Sequence, residues 1–547
     1  MLSLSALEAR LRRRRHLRGH LTQGVGGLLP GRTKGWSIDP TSSVSPRSAL
    51  AALRTHASLA GPLIILAACA AAAALLAGDE LSVRNGSFPA SLATVVVALL
   101  ATGFGVYRRT GASVWLLTIS PFAIATVTWS VLFVLRPVEL YFFPDHAALA
   151  LGQLGYDVAA LTRTVALASL GCSAWCAGYL IALGRQETAE ARTADSPRGS
   201  WIVAGFALAL GTALWVALFL RQGGIGALVH SLVSVRTGQG SSFYGFVGVW
   251  IVQGTALYAL ALLLSGRRHG ARGLRCLFCA AVALAALAAV ALQLRGLALF
   301  GALSALTISL RLRPPSRRTI AVAASLALIA VLGLAFAQQT RAYTSRMPAS
   351  EAVHTAVRTP LWALYASDLS TYDDFVAIRE LVPGSIPSLN GATLREVPQA
   401  LVPRSLWPDK PVGVDSRVAS YLYPGVPVAV PISIQGELYW NGGLLAVAVG
   451  SLILGAAFGR LGRFGLRARP GSPSFVLYAV AFPFTHAFLT RGLATMTENL
   501  LFALAGVSFA ILALSFRPQP LSALRGARLL RNRVSPSPLP ERRGAGA

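Results

Sequence analysis

Between Cys276 and Leu310 the chain is apolar apart from Gln293 and Arg295. The hydrocarbon core of a bilayer takes about 20 residues of helix. The stretch is too long for one crossing, and its two polar residues mark the place to turn. Similar runs recur along the sequence. Backbone in hydrocarbon has no water to bond, so runs of this length cross as helices. They predict twelve spans, at about 58–77, 89–107, 113–135, 161–183, 201–220, 244–265, 275–294, 296–310, 319–337, 435–457, 475–490 and 493–515. The fold class expected is an all-α polytopic membrane protein. Composition agrees: 13% of residues are charged, against about 25% in soluble domains.

A net charge of +28 would suggest nucleic acid in a soluble chain. Its distribution points elsewhere. With the N-terminus inside, the inner segments hold 34 of the 49 basic residues and six of the 21 acidic ones. The whole net charge then lies on one face, as the positive-inside rule requires of the cytoplasmic side. Both termini are expected inside, with no nucleic-acid partner. The division is a basic, largely disordered tail at 1–57, nine helices over 58–337, a large extracytoplasmic loop at 338–434, three helices over 435–515 and a basic tail at 516–547. The arginine run at 12–15 fits either anionic headgroups or an ordinary positive-inside tail. No signal-peptide pattern precedes the first span.

Cys69, Cys172, Cys176, Cys276 and Cys279 all fall in predicted helices. They give no disulfide framework, and Cys276-x-x-Cys279 reads as small buried side chains rather than as a redox or metal pair. There is no Asp-x-Asp or His/Asp cluster, so neither metal nor cofactor is expected. His230 and Arg236 are the polar candidates of a glycine-rich outer loop that also reads as a plain connector. Arg295 stands at membrane depth, where a charge costs several kcal/mol unless it snorkels to the headgroups or faces a polar cavity. Snorkelling and phosphate binding both stay open.

The segment Gln338–Ile434 holds eight basic and eight acidic residues, so most are expected in a solvated or ion-paired surface. Arg341 and Arg346 open it. Val353, Val357, Leu361, Leu364, Leu369, Phe375 and Ile378 recur at helical spacing and predict one or two helices over the membrane face. Its closing stretch gathers Arg404, Asp409, Lys410, Asp415 and Arg417, then enters the next span through Glu437, Tyr439, Trp440 and Asn441. Lys410 is one of only two lysines in the chain, the other being Lys34.

Pro403-Arg404-Ser405-Leu406-Trp407-Pro408-Asp409-Lys410-Pro411 and Gly436-Glu437-Leu438-Tyr439-Trp440-Asn441-Gly442-Gly443 resemble the two motifs of the O-antigen polymerases, the oligosaccharide repeat-unit polymerases. Arg295-Gly296 matches a third pair. Gly442 stands where the family usually has Phe. The specific match spans about 45 residues; the span layout and the large late loop also agree. The resemblance implies a type-C-like membrane glycosyltransferase in a bacterial inner membrane. It would join undecaprenyl-pyrophosphate-linked oligosaccharides at the outer face and release undecaprenyl pyrophosphate. A chain-length regulator and a flippase are candidate partners beside the lipid-linked substrate and the bilayer.

Such a leaving group needs positive charge where pyrophosphate develops it. Arginine forks match phosphate oxygens in pairs. Arg404 and Lys410 are the catalytic candidates, and Arg295, Arg341 and Arg491 the pyrophosphate-binding ones. The alternative for Arg404 and Lys410 is a salt bridge to Asp409 or Asp415 that fixes the loop. A sugar hydroxyl attacking an anomeric carbon benefits from a base, with Glu437, Asp409 and Asp415 as candidates. Glu437 equally suits the N-terminus of the tenth helix. His486 reads as a packed helix residue. Two other activities fit the layout: an O-antigen ligase-type transfer and a lipid-linked oligosaccharide transporter or flippase. A transporter favours internal repeats and broken helices; no convincing repeat is present.

Overall fold

The computed structural model describes residues 87–110, 118–143, 158–184, 201–221, 243–265, 271–291, 295–313, 370–399, 409–424 and 430–515, with a few isolated positions besides. The predicted spans at 58–77 and 319–337, both tails, the loop with His230 and Arg236, and the part of the long loop up to residue 369 lie outside the described residues or nearly so. Secondary structure among the described residues is helical: α1 Ser87–Thr110, α2 Pro121–Ser130, a π turn Val131–Leu135, α3 Arg136–Phe142, α4 Val158–Leu183, α5 Trp201–Arg221, α6 Phe243–Leu264, α7 Ala271–Ala291, α8 Arg295–Leu312, α9 Ser370–Leu381, α10 Ala392–Gln399, α11 Val414–Leu422, α12 Ile434–Arg467, α13 Pro473–Ala481, α14 Phe484–Thr490 and α15 Leu493–Ser515. Nine helical segments among the described residues are long and apolar enough to cross a bilayer, and Ala298–Leu312 is a shorter apolar helix. The protein is a polytopic membrane protein.

Three predicted spans differ in ways with local causes. Of the third, expected at 113–135, residues 111–117 lie outside the described residues, and a helix begins at Pro121. Ser120 caps it, accepting from Ala123 N at 3.3 Å, and proline suits the first helical position. It then runs on as a π turn and α3 into the stretch expected to be an outer loop. The eleventh span breaks between α13 and α14, where Pro483 has no N–H to continue the ladder.

The largest difference is the tenth span, expected at 435–457. Its helix is a hairpin. Gly442 is extended (φ −171°) and Gly443 is left-handed (φ 62°, ψ −151°), a conformation that glycine enters without penalty. Ile434–Asn441 folds back on the longer arm. Leu438 packs onto Gly450, and Gln435 meets Gly171 of α4 beside Val447 and Ser451.

The long arm of α12 and α4 form the most extensive helix pair. They run parallel, backbone against backbone. A Cβ on Gly178 would overlap the Leu452 carbonyl, and one on Gly455 the Trp175 carbonyl. Apolar side chains gain little from one another over lipid, so small residues that allow close approach and dispersion drive such pairing. We expect Gly455→Val to force the pair apart and cost at least about 1–3 kcal/mol. Gly205→Ala, on a face with nothing within 4 Å, serves as the control. Thermal unfolding of the purified protein followed by size exclusion checks this: a large drop for Gly455→Val and none for Gly205→Ala. Equal stability would contradict the packing described.

Candidate functional site

The end of the bundle where α4 and α15 begin is covered by α9, α10, α11 and the short arm of α12. These segments have their own small core of Ile378, Val382, Ile386, Val414, Val418, Ile432 and Trp440. Several charges of the long loop are ion-paired, which the even balance of charge allowed for, and some of these pairs are nearly buried. Arg136, at the start of α3, pairs with Asp373 of α9 (2.7 Å) and with Glu139 (2.8 Å), all nearly buried. Arg163 of α4 pairs with Glu380 (2.8 Å), which Arg379 also meets. The Tyr372 hydroxyl donates to the Leu161 carbonyl at 2.9 Å. Burial pushes the Asp373 carboxyl above the ordinary carboxylate range, against the pull of Arg136. Arg136 lies just beyond the span expected at 113–135, and its buried pairing depends on α9, more than 200 residues later in the chain.

The start of α15 organises the rest. A helix begins with N–H groups that have no partner inside it and with a partial positive charge. Two carboxylates from distant segments meet these groups. Glu437 Oε2 accepts from Leu493 N at 2.7 Å, and Asp415 Oδ1 accepts from Gly492 N at 3.3 Å. Glu437 thus serves the last helix rather than its own. The α12 N-terminus is capped by Ser433, which accepts from Gly436 N at 3.1 Å. Glu437 is fully buried, and its Oε1 has no hydrogen-bond partner among the described residues.

Gly436, Glu437, Trp440 and Asn441 of the second motif have places in this collar. Gly436 allows Phe375 and Ile432 to close on the backbone. Trp440 Nε1 donates to Pro387 O at 3.0 Å. The Trp440 and Asn441 carbonyls, at the end of the short arm, accept from Leu389 N (2.9 Å) and Gly391 N (3.2 Å). Asn441 Nδ2 donates to Thr393 Oγ1 (2.6 Å) and to the Glu437 carbonyl (2.7 Å), and its Oδ1 accepts from Thr393 N (3.3 Å). Thr393 was not singled out from the sequence. Nothing in a lone Thr-Leu-Arg-Glu stretch signals that it faces Asn441.

From the first motif, Lys410 Nζ stands 3.7 Å from Glu498 Oε2 of α15 and donates to Val402 O at 3.1 Å. Its acidic neighbour is thus Glu498, not Asp409 or Asp415. Asp409 is exposed. Arg417 pairs with Glu396 of α10 at 2.5 Å and donates to Val412 O at 3.1 Å. Arg491 is exposed just before α15, and its charge acts on Asp415. His486 shares a hydrogen bond of 3.0 Å with Thr128 of α2. Arg404 and Arg341 lie outside the described residues. Arg295 begins α8, and its side chain is not among the described ones. The structure therefore brings together Lys410, Asp415, Glu437 and Arg491, all within reach of the first turns of one helix. No group of three or more metal-ligating side chains occurs among the described residues.

No protein-family model matches the chain, and neither a curated protein nor a solved structure matches it.

Burial raises the Asp415 carboxyl above the ordinary carboxylate range; Arg491 and the N–H groups of Gly492 and Ile432 oppose this. The folded chain therefore holds this proton more tightly than the unfolded one. The contribution of Asp415 to stability falls as pH rises through the raised range. Asp415→Asn keeps an oxygen for Gly492 N and removes the charge. Its melting temperature is expected to vary less than that of wild type from about pH 4 to about pH 7. An unchanged pH profile would show that Asp415 titrates as a surface carboxylate.

Proposed function

We propose that the protein is a membrane glycosyltransferase that polymerises oligosaccharide repeat units carried on undecaprenyl pyrophosphate. The observation that carries the reading is the meeting of both motif segments at the start of α15, one through Lys410 and Glu498, the other through Glu437 and Leu493. Segments that share a reaction must share a place.

In this reading the hydroxyl of a fresh repeat unit attacks the anomeric carbon of the growing glycan. The bond to undecaprenyl pyrophosphate breaks, and the lipid leaves with the electron pair. Lys410 and Arg491, with Arg404, Arg341 and Arg295, stabilise the charge that develops on the pyrophosphate. The acceptor proton passes to Glu437 or Asp409. No metal or cofactor is required, since the leaving group carries its own activation. The loop faces away from the cytoplasm and both tails lie inside, on the charge distribution of the sequence. The full topology is twelve spans, with the two at 58–77 and 319–337 completing the bundle. The membrane is a bacterial inner membrane.

A second reading, a transporter for the same lipids, draws support from the two interrupted helices, at Gly442–Gly443 and at Pro483, since transporters build sites from discontinuous helices. The described carboxylates gather at one end of the bundle rather than along its length, which favours the enzyme.

Deleting the gene separates these activities. A polymerase deletion leaves single-repeat glycans in the extracted polysaccharide. Loss of all surface glycan indicates a flippase or a ligase instead. Arg404→Ala and Arg295→Ala are each expected to reproduce the deletion pattern with the protein still inserted, and Lys410→Ala to shorten the glycan by a rate loss of about 10²-fold or more. Glycans of normal length from all three would remove these cations from the site.

A further inference from the structure

The helix α10 stands next to both motif segments and belongs to neither. It is anchored at its start, its middle and its end. The first N–H groups of a helix have no partner within it. One of these, Thr393 N, donates to Asn441 Oδ1 at 3.3 Å, while Asn441 Nδ2 donates to Thr393 Oγ1 at 2.6 Å. The Asn441 amide thus grips one buried residue of α10 at two points. Gly391 N, just before the helix, donates to the Asn441 carbonyl at 3.2 Å.

In the middle, Glu396 pairs with Arg417 of α11 at 2.5 Å. The same guanidinium donates through Nε to Val412 O at 3.1 Å, just past Lys410 in the chain. At the end, the Gln399 carbonyl accepts from Val402 N at 3.1 Å and turns the chain. The Val402 carbonyl then accepts from Lys410 Nζ at 3.1 Å. Lys410 is therefore tied to α10 twice, through its own ammonium and through the backbone that follows it. Its side chain is only 13% exposed. α10 also packs on α15, whose Glu498 stands 3.7 Å from the same ammonium.

A lysine carries its charge on a flexible stem. Such a charge helps a transition state most when its place is fixed before the reaction. Here α10 carries the Val402 carbonyl and, through Arg417, the Val412 carbonyl, and Asn441 fixes the start of α10. We propose that Thr393 is a positioning residue for Lys410, acting through α10, so that the second motif sets the place of the first motif's cation. The role in catalysis rests on the glycosyl-transfer reading; the hold on Lys410 does not.

Lys410 can be read by itself, because Lys34 is the only other lysine in the chain. The full chain, purified in neutral detergent, is treated with sulfo-N-hydroxysuccinimide acetate. Acetylation of Lys410 is followed by peptide mass spectrometry against that of Lys34. Thr393→Val keeps the shape and removes the hydroxyl. Lys410 is then expected to react about fivefold faster, the factor for the loss of one hydrogen bond. Glu396→Ala, which releases α10 from Arg417, is expected to do the same and carries the test if Thr393→Val fails to fold. Thr393→Ser, which restores the hydroxyl, and Leu394→Ala, exposed on the same helix, should keep the wild-type rate. Wild-type rates in both Thr393→Val and Glu396→Ala overturn the proposal, as does a Thr393→Ser rate raised as far as that of Thr393→Val. In cells, Thr393→Val is expected to shorten the glycan as Lys410→Ala does, and Thr393→Ser to restore its length. Faster labelling of a protein whose gene deletion leaves no single-repeat glycans removes the glycosyl-transfer reading alone. Unchanged labelling where Lys410→Ala does shorten the glycan removes the positioning role alone.

Discussion

The unpaired N–H groups at the start of α15 are the constraint around which the collar is built. Glu437, which meets one of them, is fully buried. An unmet buried N–H costs about 1–3 kcal/mol. Glu437 and Asp415 meet two of them from segments that are distant in sequence. To reach Leu493, Glu437 must sit on a helix arm turned back into the bundle. That arm exists because Gly443 adopts a left-handed backbone. Asn441 and Thr393 then close the tip, and the loop 389–391 satisfies the last carbonyls of the arm. The second motif is thus a set of geometric demands made by one turn and one helix start.

Charge is sorted along the molecule. At the collar, cations and carboxylates interleave: Arg136 with Asp373, Arg163 with Glu380, Arg417 with Glu396 and Lys410 with Glu498. Pairs of this kind fix geometry more than they add stability. They hold α9, α10 and α11 on the ends of the membrane helices, and they leave Arg491 exposed at the rim. At the other end the charges among the described residues are all basic.

Much of the helical layout was legible because it rests on apolar run length, a property of short windows. Gln293 and Arg295 mark the interval between the end of α7 at Ala291 and the start of α8 at Arg295. Signals for the third and eleventh spans were also present, in Ser120-Pro121 and in Pro483, but run length masked them. The hairpin was not legible. Gly442-Gly443 inside an apolar run reads as a tolerated pair, and only the contacts of Leu438 with Gly450 and of Gln435 with α4 reveal that the chain reverses. Partners were the least legible of all. Lys410, Glu437 and Asp415 could be named as candidates, but their pairing with Glu498, Leu493 and Gly492 depends on a helix that follows much later in the chain.

The account's central claim is that the start of α15 forms the floor of a site for a lipid pyrophosphate. It is tested most directly by a cryo-EM structure of the full chain with an undecaprenyl-pyrophosphate-linked repeat unit bound. Pyrophosphate density is expected beside Lys410 and Arg491, above the first turn of α15. Density that leaves this collar empty and fills a separate part of the bundle would contradict it.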